Sequence, residues 1–280
     1  MKPTRRIIRE FGIRSRKSLG QNFLIDENIL QKIVELADVR PDDYVLEIGP
    51  GPGSLTKYLV QKAKKVIAIE IEPEFARVLK SQIPDNKLEV IVSDVLKFNF
   101  NKIKMLDNKY KVISNLPYNI SSQVIFKLLE SYGIFQELYL MLQKEVAGRV
   151  VAKPFSRDYG ILSIIAQVHS EPEILLEVGP EAFSPKPKVD SALVRFQISD
   201  RGLQNLDYEF FKRVIKACFS HRRKTILNSL AGSSLRLKKE VLVKLLTQAG
   251  INPQSRAEEI EISRLVKLAN LYQKEKETNG

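Results

Sequence analysis

The chain has 280 residues, 44% of them apolar, enough for one large domain with its own core and a smaller one beside it. No run reaches the roughly 20 apolar residues that span a bilayer, and a single cysteine, Cys218, excludes an internal disulfide and a cysteine-built zinc site. Lys and Arg number 45 against 33 Asp and Glu, a formal net charge of +12, which points to a polyanionic partner.

The charge is uneven. Residues 1–20 carry seven Lys and Arg against one acid, residues 201–280 carry sixteen against eight, and the residues between carry 22 against 24. Basic ends around a near-neutral middle suit a body that holds a small molecule and flanks that hold nucleic-acid phosphates; a merely solvated face is the competing reading. The expected phosphate contacts are Arg14, Arg16 and Lys17 near the start, and Arg222, Arg223 and Lys224 in the segment HRRKT. The opening MKPTRRIIREFGIRSRK lacks the apolar stretch and cleavage site of a secretory signal, and although Arg-rich like a transit peptide it leads directly into motif residues at Gln21. With one cysteine and two histidines, a reducing cytoplasm and a metal-free mechanism are expected; a monomer with no membrane partner is expected as well.

Along the chain, the first periodic segment predicts a helix from Asp26 to Leu36, opened by an Asp suited to capping. The strand YVLEI at 44–48 then runs into GPGPGSLT at 49–56. Gly49, Gly51 and Gly53 let the backbone turn tightly and approach a ligand, with a helix from Ser54 to Lys62 offering free N–H groups. The spacing G-x-G-x-G departs from the dinucleotide pattern and disfavours a nicotinamide cofactor; a glycine-rich turn without a ligand competes with the binding reading. Two acids tilt the balance. Glu70, in the strand VIAIEI at 66–71, stands where an acid in such a fold meets the ribose hydroxyls of a nucleoside. Asp94 follows the strand LEVIV at 88–92, where its carboxylate suits an exocyclic adenine amine while the Val95 N–H faces a ring nitrogen. Either acid alone reads as a cap or a surface charge; with the glycines they form a pattern.

The strand YKVIS at 110–114 leads into Asn115-Leu116-Pro117-Tyr118. Four such residues often make only a turn, but their chemistry fits an adenine amine, whose lone pair is delocalised into the ring. Two acceptors, the Asn115 side-chain oxygen and the Leu116 carbonyl, would hold its two N–H bonds and free that lone pair for in-line attack on a methyl group. Pro117 keeps Leu116 out of the helical region and removes one N–H, and Tyr118 would stack on the base. A helix follows from Ser121 to Leu129, then strands ELYLML at 137–142, EILLEV at 173–178 and ALVRFQI at 192–198, the last two reading as an antiparallel pair that closes a mostly parallel sheet of seven strands. After Gln197 the segment SDRGLQN reads as a linker and residues 208–272 show helical periods only. The expected division is a basic segment at 1–20, an α/β domain at 21–200 and a helical basic domain at 201–280.

GQNFL at 20–24, EIGPGPGSLT at 47–56, NLPYNISS at 115–122, MLQKEVAGR at 141–149 and FSPKPKVDSA at 183–192 resemble the successive motifs of the KsgA/RsmA family of rRNA adenine dimethyltransferases. The resemblance runs from about residue 15 to HRRKT. It implies a Rossmann-like class I methyltransferase fold, S-adenosyl-L-methionine as cofactor with S-adenosyl-L-homocysteine as product, and two adjacent adenines near the 3′ end of 16S rRNA in the small ribosomal subunit as substrate. It also implies contacts from Asn22 and Leu24 to the methionine end of the cofactor, and a second stacking aromatic at Phe183, which its residue type alone would place in a core or turn. Three rivals stand beside it: a large-subunit rRNA methyltransferase of similar chemistry, a DNA adenine methyltransferase, disfavoured because its D-P-P-Y pattern is absent, and an RNA-binding ribosome assembly factor whose main role is not catalytic.

Overall fold

The computed structural model describes residues 21–279 apart from 85, 132, 200–206, 222 and 236. Arg14, Arg16, Lys17, Arg222 and most of the expected linker lie outside the described residues.

Five parallel strands form the body of the sheet: β2 (Tyr44–Ile48), β3 (Lys65–Glu70), β4 (Leu88–Val92), β5 (Tyr110–Asn115) and β6 (Phe135–Gln143). They are preceded by a short strand, β1 (Phe23–Leu24), and followed by β7 (Ser170–Val178), β8 (Phe183–Ser184) and β9 (Ser191–Ile198). The seven-stranded order is β4-β3-β2-β5-β6-β9-β7, with β9 antiparallel to β6. The expected pair therefore does close the sheet, with the later strand inserted next to β6. Strands β2, β3 and β5 are buried almost throughout, as strands covered on both faces must be, β5 burying Lys111 and Ser114 along with its apolar residues.

Helices α1 (Glu27–Leu36), α2 (Thr56–Lys62), α3 (Pro73–Gln82) and α4 (Ser121–Leu129) connect these strands. Asp26 caps α1 as its residue type predicts, accepting from the Asn28 and Ile29 N–H groups. Ser54 and Ser121, at which the other two helices were expected to begin, do not cap them. Leu55, not Ser54, precedes α2, because the glycine loop keeps turning through Gly53, whose N–H donates to the Pro50 carbonyl. Ile120 precedes α4, and the Ser121 hydroxyl instead donates to the Tyr118 carbonyl.

The chain forms two compact units: the described residues up to Ala147 with Glu171–Ile198, and Gly148–Ser170 with the described residues after Ile198. The expected single cut near residue 200 misses that 148–170 belongs with the C-terminal helices. That second unit holds the end of α5 (Lys144–Val151), then α6 (Ile161–His169), α7 (Tyr208–Cys218), α8 (Ile226–Ala231), α9 (Lys239–Gln248) and α10 (Ile262–Asn279). Three contacts across long stretches of chain hold 148–170 there. The buried Tyr159 donates its hydroxyl to the Ile260 carbonyl at 3.0 Å, His169 meets the Tyr208 ring edge-on at 4.7 Å, and its carbonyl accepts from the Ser199 N–H.

Candidate active site

Strand order reverses between β2 and β5, and at such a switch point the loops leaving the strands part and open a crevice at their carboxyl ends. A cavity of about 180 Å³ lies at that end, walled by the residues that follow β2, β3, β4 and β5 and by Asn22 and Phe23 of the N-terminal segment.

The glycine loop supplies one wall. Gly49 and Gly51 border the cavity with φ of +66° and +54°, a region side chains avoid. A Cβ on Gly51 would come within 2.8 Å of the Phe23 ring, so the missing side chain lets Phe23 lie over the loop. Gly53 does not border the cavity. Its absent side chain makes room for Leu79 and Ile83 at the end of α3, a packing role in place of the expected ligand contact.

Glu70, at the end of β3, is buried and fixed at both oxygens: Oε2 accepts from the Gly51 N–H at 3.0 Å and Oε1 from the Glu72 N–H at 2.9 Å. Burial pushes its carboxyl above the usual range, opposed by these N–H groups. A carboxylate has about four lone-pair sites, so Glu70, which lines the cavity, retains acceptor capacity. Asp94 and Val95 border the same cavity, the Asp94 carboxylate steadied by the Leu96 N–H at 2.9 Å.

Asn115 closes β5. Its Nδ2 donates to the Asn22 carbonyl at 2.8 Å, which settles the orientation of the amide, while its Oδ1 is buried and has no partner among the described residues. Leu116 and Pro117 line the cavity beside it. Tyr118 is half-buried outside that lining, its hydroxyl 2.6 Å from the Ser191 hydroxyl at the start of β9, and burial pushes its phenol upward.

Two residues sit elsewhere than expected. Leu24 is 2% exposed and Phe183 is 3% exposed; both side chains belong to the hydrophobic core, and their backbones pair as β1 with β8. A strand turns successive side chains to opposite faces, so Phe23 borders the cavity, edge-on to Phe75 of α3 at 5.6 Å, and Leu24 turns away. Phe183 helps hold the N-terminal segment, together with the Ile25 N–H bond to the Ala182 carbonyl at 2.8 Å.

Sequence reasoning passed over Ile71, half-exposed at the rim, and Glu47, buried just before the glycine loop. Burial pushes the Glu47 carboxyl up to about 8, against the Thr56 hydroxyl that donates to it at 2.6 Å and with Glu70 adding repulsion. An acid inside the otherwise apolar YVLEI was the available signal.

In the second unit, Arg223 and Lys224 are exposed on the turn between α7 and α8. Among the described residues there is no cluster of three or more His, Cys, Asp or Glu that could hold a metal, and no helix is long and apolar enough to cross a membrane.

A family model for ribosomal RNA adenine dimethylase matches residues 12–274. The ribosomal RNA small subunit methyltransferase A of Geobacter metallireducens is 39% identical over 262 residues, 92% of this chain and 95% of that protein. Among solved structures, a dimethyladenosine transferase from Plasmodium falciparum superposes with a TM-score of 0.76 at 28% identity, covering 90% of this chain and 97% of that one. The 23S rRNA methyltransferase ErmE superposes with a TM-score of 0.67 at 26% identity, covering 90% of this chain and all of that one.

Proposed function

This chain belongs to the ribosomal RNA adenine dimethylase family, and on that footing we propose that it dimethylates the N6 amines of two adjacent adenines near the 3′ end of 16S rRNA, using S-adenosyl-L-methionine. The observation that carries the mechanism is the buried Asn115 Oδ1, an acceptor with no partner among the described residues. An adenine amine is a donor that fits it.

The cavity residues suit the cofactor. Glu70 offers acceptors for the ribose hydroxyls, Asp94 and the Val95 N–H suit the exocyclic amine and a ring nitrogen of an adenine, and the bare Gly49 and Gly51 backbone admits the rest. The Asn22 segment lines the same cavity. When bound, the cofactor supplies an electrophilic methyl group. Asn115 Oδ1 and the Leu116 carbonyl hold the two N–H bonds of the target amine, so its lone pair leaves conjugation and points at that methyl. The nitrogen would take the methyl as the sulfur–methyl bond breaks, the sulfur keeping the electron pair in S-adenosyl-L-homocysteine, and then lose a proton to water; being acidic once alkylated, it needs no strong base. Tyr118 is the aromatic face for the extruded base, whereas Phe183 is shut into the core and is not assigned that task.

A large-subunit substrate is the second reading, supported by the likeness to ErmE; the motif set and the small-subunit relatives weigh against it. An intact site also argues against a purely non-catalytic assembly factor. Methyl transfer to purified small subunits lacking the modification, compared with large subunits and duplex DNA, tests the proposal. Incorporation of four methyls at two adjacent 16S adenines is expected. Transfer to large subunits alone, or to none, overturns it.

A further inference from the structure

Among the described residues, two that are not glycine adopt positive φ: Asp38 at +42° and Phe155 at +69°. Phe155 is also 78% exposed. It lies in the loop 152–160 between α5 and α6, and the loop is pinned around it. The Phe155 N–H donates to the Glu258 carbonyl at 2.8 Å, and the Ser156 N–H and hydroxyl both return to the Lys153 carbonyl, at 3.2 and 2.8 Å. The buried Tyr159, bonded to Ile260, anchors the far end. A left-handed backbone suits Gly or Asn and is unfavourable for an aromatic residue, and a ring standing in water gains no burial in return. Among the described residues of this unit, no packing accounts for a phenylalanine here. Lys153 and Arg157, both exposed, flank it two residues away on either side, and Asp158 is the one acid of the loop.

We propose that Phe155 is a stacking platform for an unpaired base of the RNA substrate, with Lys153 and Arg157 drawing the adjoining phosphates. Every base presents a π face, so an aromatic between cations recognises single-stranded RNA without reading its sequence, while strain held in a pinned loop is characteristic of a contact site. The inference rests on the rRNA reading above.

The test compares Phe155→Gly with the parent chain. Glycine accepts the backbone conformation, so the melting temperature should hold or rise, and cofactor affinity and the single-turnover rate at saturating RNA should not change. The dissociation constant for a protein-free 3′ fragment of 16S rRNA should rise about 5- to 150-fold, with the slope of log affinity against log salt unchanged, because a stacked base releases no counterions. Phe155→Tyr and Phe155→Trp should retain parent affinity, whereas Lys153→Gln should reduce the slope by about 0.7. A stable Phe155→Gly chain that binds the fragment as the parent does overturns the platform. So does a loss confined to assembled subunits, which would place the contact on a ribosomal protein. If the parent itself binds no rRNA, the proposed function has failed and the platform falls with it.

Discussion

Asn115 has one amide and two tasks. Its Nδ2 is committed to Asn22, 93 residues away in the chain, and its Oδ1, without a partner among the described residues, carries a cost of about 1–3 kcal/mol that a donor on the substrate would relieve. Asn115→Ala is therefore expected to lower the single-turnover rate about 100- to 1000-fold with fold and cofactor affinity largely kept. Rates at saturating cofactor and RNA, read beside thermal melts, decide it: near-normal chemistry in a destabilised variant would make Asn115 a strand terminator. Glu47 makes a different case. Its carboxyl rises from 4.5 to about 8 in the folded chain, so the folded state keeps a proton that the unfolded state releases between those values. The stability from this group is full below about pH 4.5 and is lost as pH climbs toward 8, by at most about 1.4 kcal/mol per pH unit. Glu47→Gln, which still accepts from Thr56, should melt higher than the parent at pH 8 and decline less from pH 5 to 8; coincident profiles would remove Glu47 as the cause. Asn115 and Glu70 were legible because each ends a strand where chemistry is exposed. Glu47 was not, because burial there depends on what covers both faces of the sheet.

The glycine loop shows how one element divides its labour. At Gly49 an added Cβ would meet only Pro117 at an ordinary 3.7 Å, whereas at Gly53 it would lie 2.5 Å from the Cδ1 of the fully buried Leu79. Gly49→Ala is expected to lose about 1–2 kcal/mol from its left-handed backbone alone. Gly53→Ala adds about 1–3 kcal/mol of overpacking and should melt well below it; equal melting temperatures would show that α3 yields to the intruding methyl. The strands of this element and its neighbours were readable from apolar runs and spacing. Helix starts were less so, since Ser54 and Ser121 have capping side chains but the continuing turns before them decide where the helical hydrogen bonds begin.

Across the whole molecule the excess charge lies at the two ends of the sequence, where it suits phosphate contacts. Arg223 and Lys224, exposed on their turn, can be neutralised together as Arg223→Gln with Lys224→Gln. RNA affinity should fall and its log–log salt slope shrink by roughly 0.7 to 0.9 for each phosphate no longer neutralised, while cofactor affinity holds; an unchanged slope would mark an ordinary solvated surface. Neighbouring residues and their spacing suffice to write the sheet, the glycine turn, the acids at successive strand ends, the Asn-Leu-Pro-Tyr segment and the distribution of charge. Folding in three dimensions was needed to turn Phe23 and not Leu24 toward the cavity, to enclose Phe183 in the core, and to join residues 148–170 to the C-terminal helices. Those outcomes depend on partners far along the chain: β8 for the N-terminal segment, and Ile260, 101 residues from Tyr159, for the loop. Burial and side-chain direction belong to such distant pairings, which local periodicity does not encode.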